Sequence, residues 1–257
     1  NIEKLGAEVT IENFNYDDCV RLAAEQAKQD PNGVMIQDTA WKGYTDIPAW
    51  IMQGYGTLAL EADRQLLADG CERPTHVIVQ AGVGSMAGAV VGYFANKYAG
   101  NEPTMIVVEA GAAACLYRSA AKGTGKMTKV TGKLDTIMAG LACGEPNPIG
   151  WDILRNHAAA FAGCPDWMSA LGTRMYGVPL AGDPTIISGE SGSVTMGFLA
   201  QILCNPEYEQ FRKDLKFDEN SSVLLVSTEG NTDPTRFREV VWNGLYGTRH
   251  RGEALVK

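Results

Sequence analysis

The sequence predicts an α/β fold: an open, mostly parallel sheet with helices on both faces. Three observations carry that expectation. Brief apolar runs such as His76 to Gln80 and Met105 to Glu109 are too short for helices, and each is followed by a longer stretch with helical spacing. Those runs are apolar throughout rather than alternating, which suits strands covered on both faces, and a strand–helix–strand order makes neighbouring strands parallel. At 257 residues the chain is long enough to bury a large core, as one sizeable domain or two small ones.

Leu5-Gly6 reads as the last turn of a helix and its closing glycine. No helix stands ahead of it, so upstream sequence is expected to be missing and the chain to be a fragment. Ala7 to Ile11 reads as a strand. Asn15 reads as the cap of a helix to about Gln29, with Asp17 and Asp18 at its positive end. Val34 to Gln37 reads as a short strand ending at Asp38. Asp46 is expected to cap a long helix with Pro48 in its first turn and Gly70 at its end, because Ile47, Trp50, Ile51, Tyr55, Leu58, Ala62 and Leu66 recur at three- and four-residue steps. His76 to Gln80 is a strand, Ser85 to Tyr98 a helix, Met105 to Glu109 a strand, and Ala112 to Ala121 a helix. The stretch from Thr124 to Asp183 is irregular, with helices expected near Trp151 to Phe161 and Trp167 to Tyr176. A loop and an apolar helix follow through Cys204, then a strand over Ser222 to Ser227 and a last helix from Asp233 to about Trp242.

Composition narrows the function. Hydrophobic residues at 45% and charged residues at 20% suit a soluble globular protein, and a net charge of -8 argues against a nucleic-acid partner. The one basic cluster, Lys122 to Lys133, is rich in Gly and Thr and reads as a solvated loop. No apolar run is long enough for a membrane span, and no signal-peptide pattern opens the chain. Six cysteines without a CxxC pair, and His76, His157 and His250 without an HExxH motif, point to no metal site and to the reduced thiols of a cytoplasmic protein.

Sites in open parallel sheets lie beyond the C-terminal ends of strands, and three segments fall there. Gly82-Val83-Gly84-Ser85-Met86-Ala87 satisfies G-x-G-x-x-A, and Glu109 ends the next strand, which together make the dinucleotide fingerprint. Against that reading, the unit is not the first strand–helix–strand unit of the chain, and a second loop, Ser227 to Asp233, opens at the same edge. The chemistry shared by any phosphate is simpler: glycines let backbone N–H groups approach, beside the positive end of a helix. A dinucleotide, a pyridoxal phosphate, or a tight turn with no ligand all remain open on these residues. Asp38, near Trp41 and Tyr44, reads either as an acid or base in a partly apolar pocket or as a turn aspartate bonding its own backbone. Ser227 and Thr228 offer a hydroxyl to a heterocycle nitrogen, or form a simple turn. Glu190 complements a helix dipole or contacts a ligand. Cys115 and Cys143 read as buried thiols.

Six blocks together, "NYDDCVRLA", "QDTAWKGYTDIPAWIMQGY", "QAGVGSMAGAVVGY", "IMAGLACGEPNPIGWDILRN", "ISGESGSV" and "STEGNTDPTRFREVVW", resemble the diaminopropionate ammonia-lyases, pyridoxal-phosphate enzymes of fold type II, the tryptophan-synthase β group. The likeness runs from the first residues to about Trp242. It implies a pyridoxal 5'-phosphate cofactor and α,β-elimination of 2,3-diaminopropionate to pyruvate and ammonia, a step of amino-acid catabolism. It also implies a homodimer acting on a small amino acid.

Carried over by position, Gly82, Val83, Gly84, Ser85, Met86 and Gly88 would hold the cofactor phosphate. Thr228 would bond the pyridine nitrogen, because Thr228-Glu229-Gly230-Asn231 fits a frame like S-G-G-N. Asp38 would transfer a proton, and Tyr16 and Glu190 would line the substrate pocket. Residues 1–38 would be the remainder of a small N-terminal domain and 39–257 the large cofactor domain. The family's Schiff-base lysine lies in an N-terminal segment, near a "DGNHG"-like loop; neither is present here, and Lys42 and Lys97 read as surface residues. The chain alone is therefore expected to be inactive or incomplete. The rival expectations are a related serine/threonine dehydratase-type lyase, an NAD-dependent oxidoreductase using the G-x-G-x-x-A loop, and a non-catalytic module on the same fold.

Overall fold

A computed structural model describes residues 2–247, so His250 lies outside the described residues. The chain forms two compact units, Asn1–Met35 and Ile36–Lys257. In the first, a 3-10 turn over Glu3–Leu5 closes at Gly6, whose φ of +87° is the left-handed conformation that glycine adopts without strain. Helix α1 spans Tyr16–Gln29, and its cap is Asn15, whose side chain accepts from the Asp18 amide at 2.9 Å. Ala7 to Ile11 is not a strand: it is irregular and mostly exposed. Apolar alternation alone does not supply the ladder partner that a strand needs.

The second unit is built on a four-stranded, wholly parallel sheet. Strands β1 (His76–Gln80), β2 (Thr104–Ala110), β3 (Ala160–Cys164) and β4 (Val223–Leu225) lie in the order β3-β2-β1-β4. All five residues of β1 are buried, and since successive side chains point to opposite faces, both faces are covered. The covering helices are α2 (Asp46–Ala68), α3 (Ser85–Lys97), α4 (Cys115–Ala121), α5 (Pro148–His157), α6 (Asp166–Gly177), α7 (Glu190–Cys204), α8 (Glu209–Asp214) and α9 (Pro234–Val241). Helix α3 packs against α2 and α5, while α6 and α7 pack against each other, with α7 also touching β1 and β2.

Several expectations are corrected. Val34 to Gln37 is extended coil, with Val34 and Ile36 exposed, and it is tied down by Tyr44, whose hydroxyl accepts from the Gln37 amide at 2.9 Å. Thr45, not Asp46, precedes the first residue of α2. The helix expected to reach Phe161 stops at His157, and the chain re-enters the sheet as β3. Helix α8 had no counterpart in the sequence reading.

Candidate functional site

The site grows from the C-terminal end of β1. Ala81 still donates to the Val108 carbonyl at 2.9 Å, after which the chain leaves the sheet. Gly84 then turns it into α3 with φ +96°, a conformation that side chains with a Cβ rarely adopt. The backbone amides of Gly82, Val83, Gly84, Ser85, Met86 and Ala87 have no hydrogen-bond partner among the described residues. A loop and first helical turn with orphan donors, at the positive end of the helix dipole, form an anion cradle. Gly88 differs: its amide donates to the Gly84 carbonyl at 2.9 Å, the first bond of α3. What Gly88 provides is a missing Cβ, which would stand 2.9 Å from the Gly150 Cα; a Cβ on Gly150 would reach 2.4 Å from the Gly84 carbonyl oxygen. This close crossing presses α5 against the cradle.

Asn147 locks the cradle in place, and the sequence reading passed over it. It caps α5, accepting from Ile149 N at 3.0 Å, and its own amide donates to the Val83 carbonyl at 2.7 Å. Its Nδ2 donates to the Asp38 carbonyl at 3.0 Å and to the Ser85 hydroxyl at 2.7 Å, and Ser85 in turn donates to the Asp38 carbonyl at 2.9 Å. Asn147 is 0% exposed, so these bonds form away from water. The signal available in the sequence was the Asn-Pro pair, which marks a helix start but says nothing about distant partners.

Asp38 thus reaches the cradle as a tethered coil rather than as the end of a strand. Its carboxylate is half-buried, and Tyr55 on α2 donates to Oδ2 at 3.1 Å. Burial raises the Asp38 carboxyl above its ordinary value, and the Tyr55 hydrogen bond partly offsets this. Burial and the neighbouring carboxylate push Tyr55 up to about 12. Trp41 and Tyr44, which follow Asp38, stack on each other at 4.3 Å between ring centroids.

The loop after β4 opens beside the cradle, because β4 pairs in parallel with β1. Ser227 and Thr228 part company there. The Ser227 hydroxyl is 2.7 Å from that of Ser188, whereas Thr228 accepts from Gln80 Nε2, at the end of β1, at 3.1 Å. A cavity of about 450 Å³ adjoins them, lined by Tyr176, Ile186, Leu225, Ser227, Thr228 and Glu229 among others. Glu190 is the first residue of α7; burial raises its carboxyl, and the charges of Asp233 and Glu229 add to the effect. Its neighbour Ser191 accepts from the Gly140 amide at 3.2 Å, and the Gly140 carbonyl lies 3.0 Å from where a Cβ on Gly82 would stand, so the start of α7 approaches the cradle through this turn. Tyr16 belongs to the unit Asn1–Met35, in the first turn of α1.

Glu109 overturns the dinucleotide reading. Instead of facing a ribose, it is 1% exposed and accepts from the amides of Leu116 and Tyr117 at 2.9 and 2.6 Å, capping α4. Burial raises its carboxyl to about 8 despite those two amides. The thiols are all free; Cys115 and Cys143 are buried beside Gly82, the first donating to the Gly82 carbonyl at 3.8 Å. Lys42 and Lys97 are exposed. No group of three or more metal-ligating side chains gathers among the described residues, and no described helix is long and apolar enough to cross a membrane.

Against known proteins, a profile described as "Pyridoxal-phosphate dependent enzyme" matches residues 1–202. The diaminopropionate ammonia-lyase of Escherichia coli K12 is 51% identical over 245 residues, which cover 95% of this chain and 61% of that protein. The crystal structure of diaminopropionate ammonia lyase from Escherichia coli in complex with an aminoacrylate-PLP azomethine reaction intermediate superimposes with a TM-score of 0.88 at 49% identity, over 95% of this chain and 61% of the other. The processed form of threonine deaminase isoform 2 from Solanum lycopersicum, at 20% identity and a TM-score of 0.69 over 96% of this chain and 58% of that one, shares the fold. The chain therefore spans about three fifths of the length of the curated relative it matches.

Proposed function

The chain belongs to the pyridoxal-phosphate-dependent enzymes, and from that premise we propose that it forms the cofactor-holding part of an ammonia-lyase acting on 2,3-diaminopropionate. The observation that carries this reading is the pairing of two donors at one sheet edge: orphan amides after β1 and the Thr228 hydroxyl after the adjacent β4. A phosphate-bearing nitrogen heterocycle fits that pair, with its anion on the amides and its ring nitrogen at the hydroxyl. Bound pyridoxal phosphate supplies an electron-accepting ring for the charge left when a substrate loses its α proton.

The chain's own residues do the rest. Gly82, Val83, Gly84, Ser85 and Met86 present amides to the phosphate, and Gly88 lets α5 close against them. Asp38, its carboxylate anchored at Oδ2 by Tyr55, holds and returns a proton, and burial raises its carboxyl above the ordinary value, which favours holding it. Glu190 lines the substrate pocket as a carboxyl that burial raises above its ordinary value, and the resemblance alone supports a like role for Tyr16. Residues 39–257 form the large cofactor domain and residues 1–38 the remainder of a small one. The six free thiols support a reducing, cytoplasmic setting, and the resemblance supports a homodimer, which sedimentation of the purified protein checks.

The test is an assay of the full-length protein with 2,3-diaminopropionate, coupled to pyruvate release, alongside its visible absorbance after dialysis against pyridoxal phosphate. Colour together with pyruvate supports the reading. Colour with turnover of serine or threonine but not of the diamine replaces it with a dehydratase. Absence of both overturns it in favour of a binding module.

A further inference from the structure

Gln80 stands out among the residues of β1. It is the last residue of a strand whose three preceding residues, Val77, Ile78 and Val79, are apolar and fully buried, yet it carries a carboxamide that is itself 1% exposed. The strand pairs with β2 on one side, Gln80 opposite Val108, and with β4 on the other. Its Nε2 donates to the Thr228 hydroxyl oxygen at 3.1 Å, and its Oε1 has no partner among the described residues. Burying an acceptor without a partner is costly, and an apolar side chain of the same length would avoid that cost. The position therefore keeps its amide for the contact with Thr228.

We propose that Gln80 is a positioning residue that sets the direction of the Thr228 hydroxyl. A threonine hydroxyl has one proton to give and two lone pairs to offer. With Nε2 donating into one lone pair, the O–H proton stays free for an outside acceptor. The hydroxyl therefore presents a donor, the sense that matches an unprotonated ring nitrogen. Were the carboxamide turned, Oε1 would take the hydroxyl proton, and only lone pairs would face the ligand, the sense that matches a protonated ring. The sense of one buried amide and the protonation of the ligand's ring are thus linked. The inference rests on the assignment of Thr228 to the cofactor ring made above.

The experiment is ¹⁵N NMR of the full-length holoenzyme reconstituted with pyridoxal phosphate labelled at the ring nitrogen, for wild type, Thr228→Val and Gln80→Met. The wild-type resonance is expected at the free-base, hydrogen-bonded position. Thr228→Val moves it downfield as that bond is lost, and Gln80→Met moves it in the same direction by a smaller amount, with kcat reduced and KM little changed. A wild-type resonance at the pyridinium position overturns the proposal without need of any variant. So does a Gln80→Met resonance that coincides with wild type while Thr228→Val is displaced. If Gln80→Met does not fold, Gln80→Leu replaces it. A resonance indifferent to Thr228→Val removes Thr228 as the partner and the proposal with it. Absence of any bound-cofactor resonance is a separate result that refutes the cofactor reading itself.

Discussion

Replacing Asn147 with alanine removes a side chain that joins three segments far apart in sequence. Alanine keeps the backbone bond from residue 147 to the Val83 carbonyl but strips the cap from α5, leaving Ile149 N without its acceptor. It also removes the donor to the Asp38 carbonyl and to the Ser85 hydroxyl. A lost cap costs about 1 kcal/mol, and each of the two lost buried hydrogen bonds adds about 1 kcal/mol, so the total is roughly 3 kcal/mol. For a chain of this size that lowers Tm by about 6 to 12 °C. Asn147→Asp separates the two roles: aspartate caps a helix about as well as asparagine and suits its positive end, yet it offers no N–H to Asp38 or Ser85. Urea and thermal unfolding should place Asn147→Asp closer to wild type than Asn147→Ala. Turnover should fall in both, because the Asp38 carbonyl keeps only its bond from Ser85 in both. An alanine variant within about 0.5 kcal/mol of wild type, the scatter expected of an ordinary surface change, refutes the reasoning. So does an aspartate variant with undiminished turnover.

Three further outcomes are expected. Gly84→Asp forces a side chain into φ +96° with its Cβ 3.2 Å from Leu116, and sets a negative charge in the anion cradle; titration by visible absorbance should find cofactor retention abolished, with Gly84→Ala intermediate. Tyr55→Phe deletes the bond that favours the Asp38 carboxylate, so the Asp38 carboxyl rises further and the acidic limb of kcat/KM moves to higher pH; a limb that stays or moves down contradicts the role given to Asp38. Glu109 is raised in the folded chain from 4.5 to about 8, so its contribution to stability is fully present below pH 4.5 and is lost as pH rises through about 8. Urea midpoints should decline across that window for wild type and flatten in Glu109→Gln.

The parts of the fold legible in the sequence are those whose cause is local. Strands β1 and β2 announce themselves because Val and Ile in unbroken runs suit a sheet covered on both sides. Asn15 and Asp233 are recognisable caps because each bonds an amide three residues on. Strand β3 escaped notice because Ala160-Phe-Ala-Gly-Cys164 holds one large side chain and a glycine; it is a strand because β2 supplies the ladder. Val34 to Gln37 failed in the opposite sense, apolar enough for a strand but without one to pair with. The site divides in the same way. The glycine loop and Asp38 are visible as residue types, whereas Asn147 works through partners 109 and 62 positions away, which no local pattern encodes.

Glu109 shows why one fingerprint served two readings. A carboxylate at the end of β2 is compatible with a ribose contact only if it faces outward, and spacing does not reveal facing. In the fold, α4 begins just beyond β2 and its first amides need an acceptor, so the glutamate turns inward to Leu116 and Tyr117. The feature that separates the readings lies elsewhere, in the second loop at the same edge. Because β1 and β4 are parallel neighbours, their following loops must open side by side, and Gln80 bridging to Thr228 marks how closely they do so. On the proposed assignment, a ligand held there brings an anion to one loop and an acceptor nitrogen to the other, and a ring that joins the two over so short a span meets that need better than an extended dinucleotide.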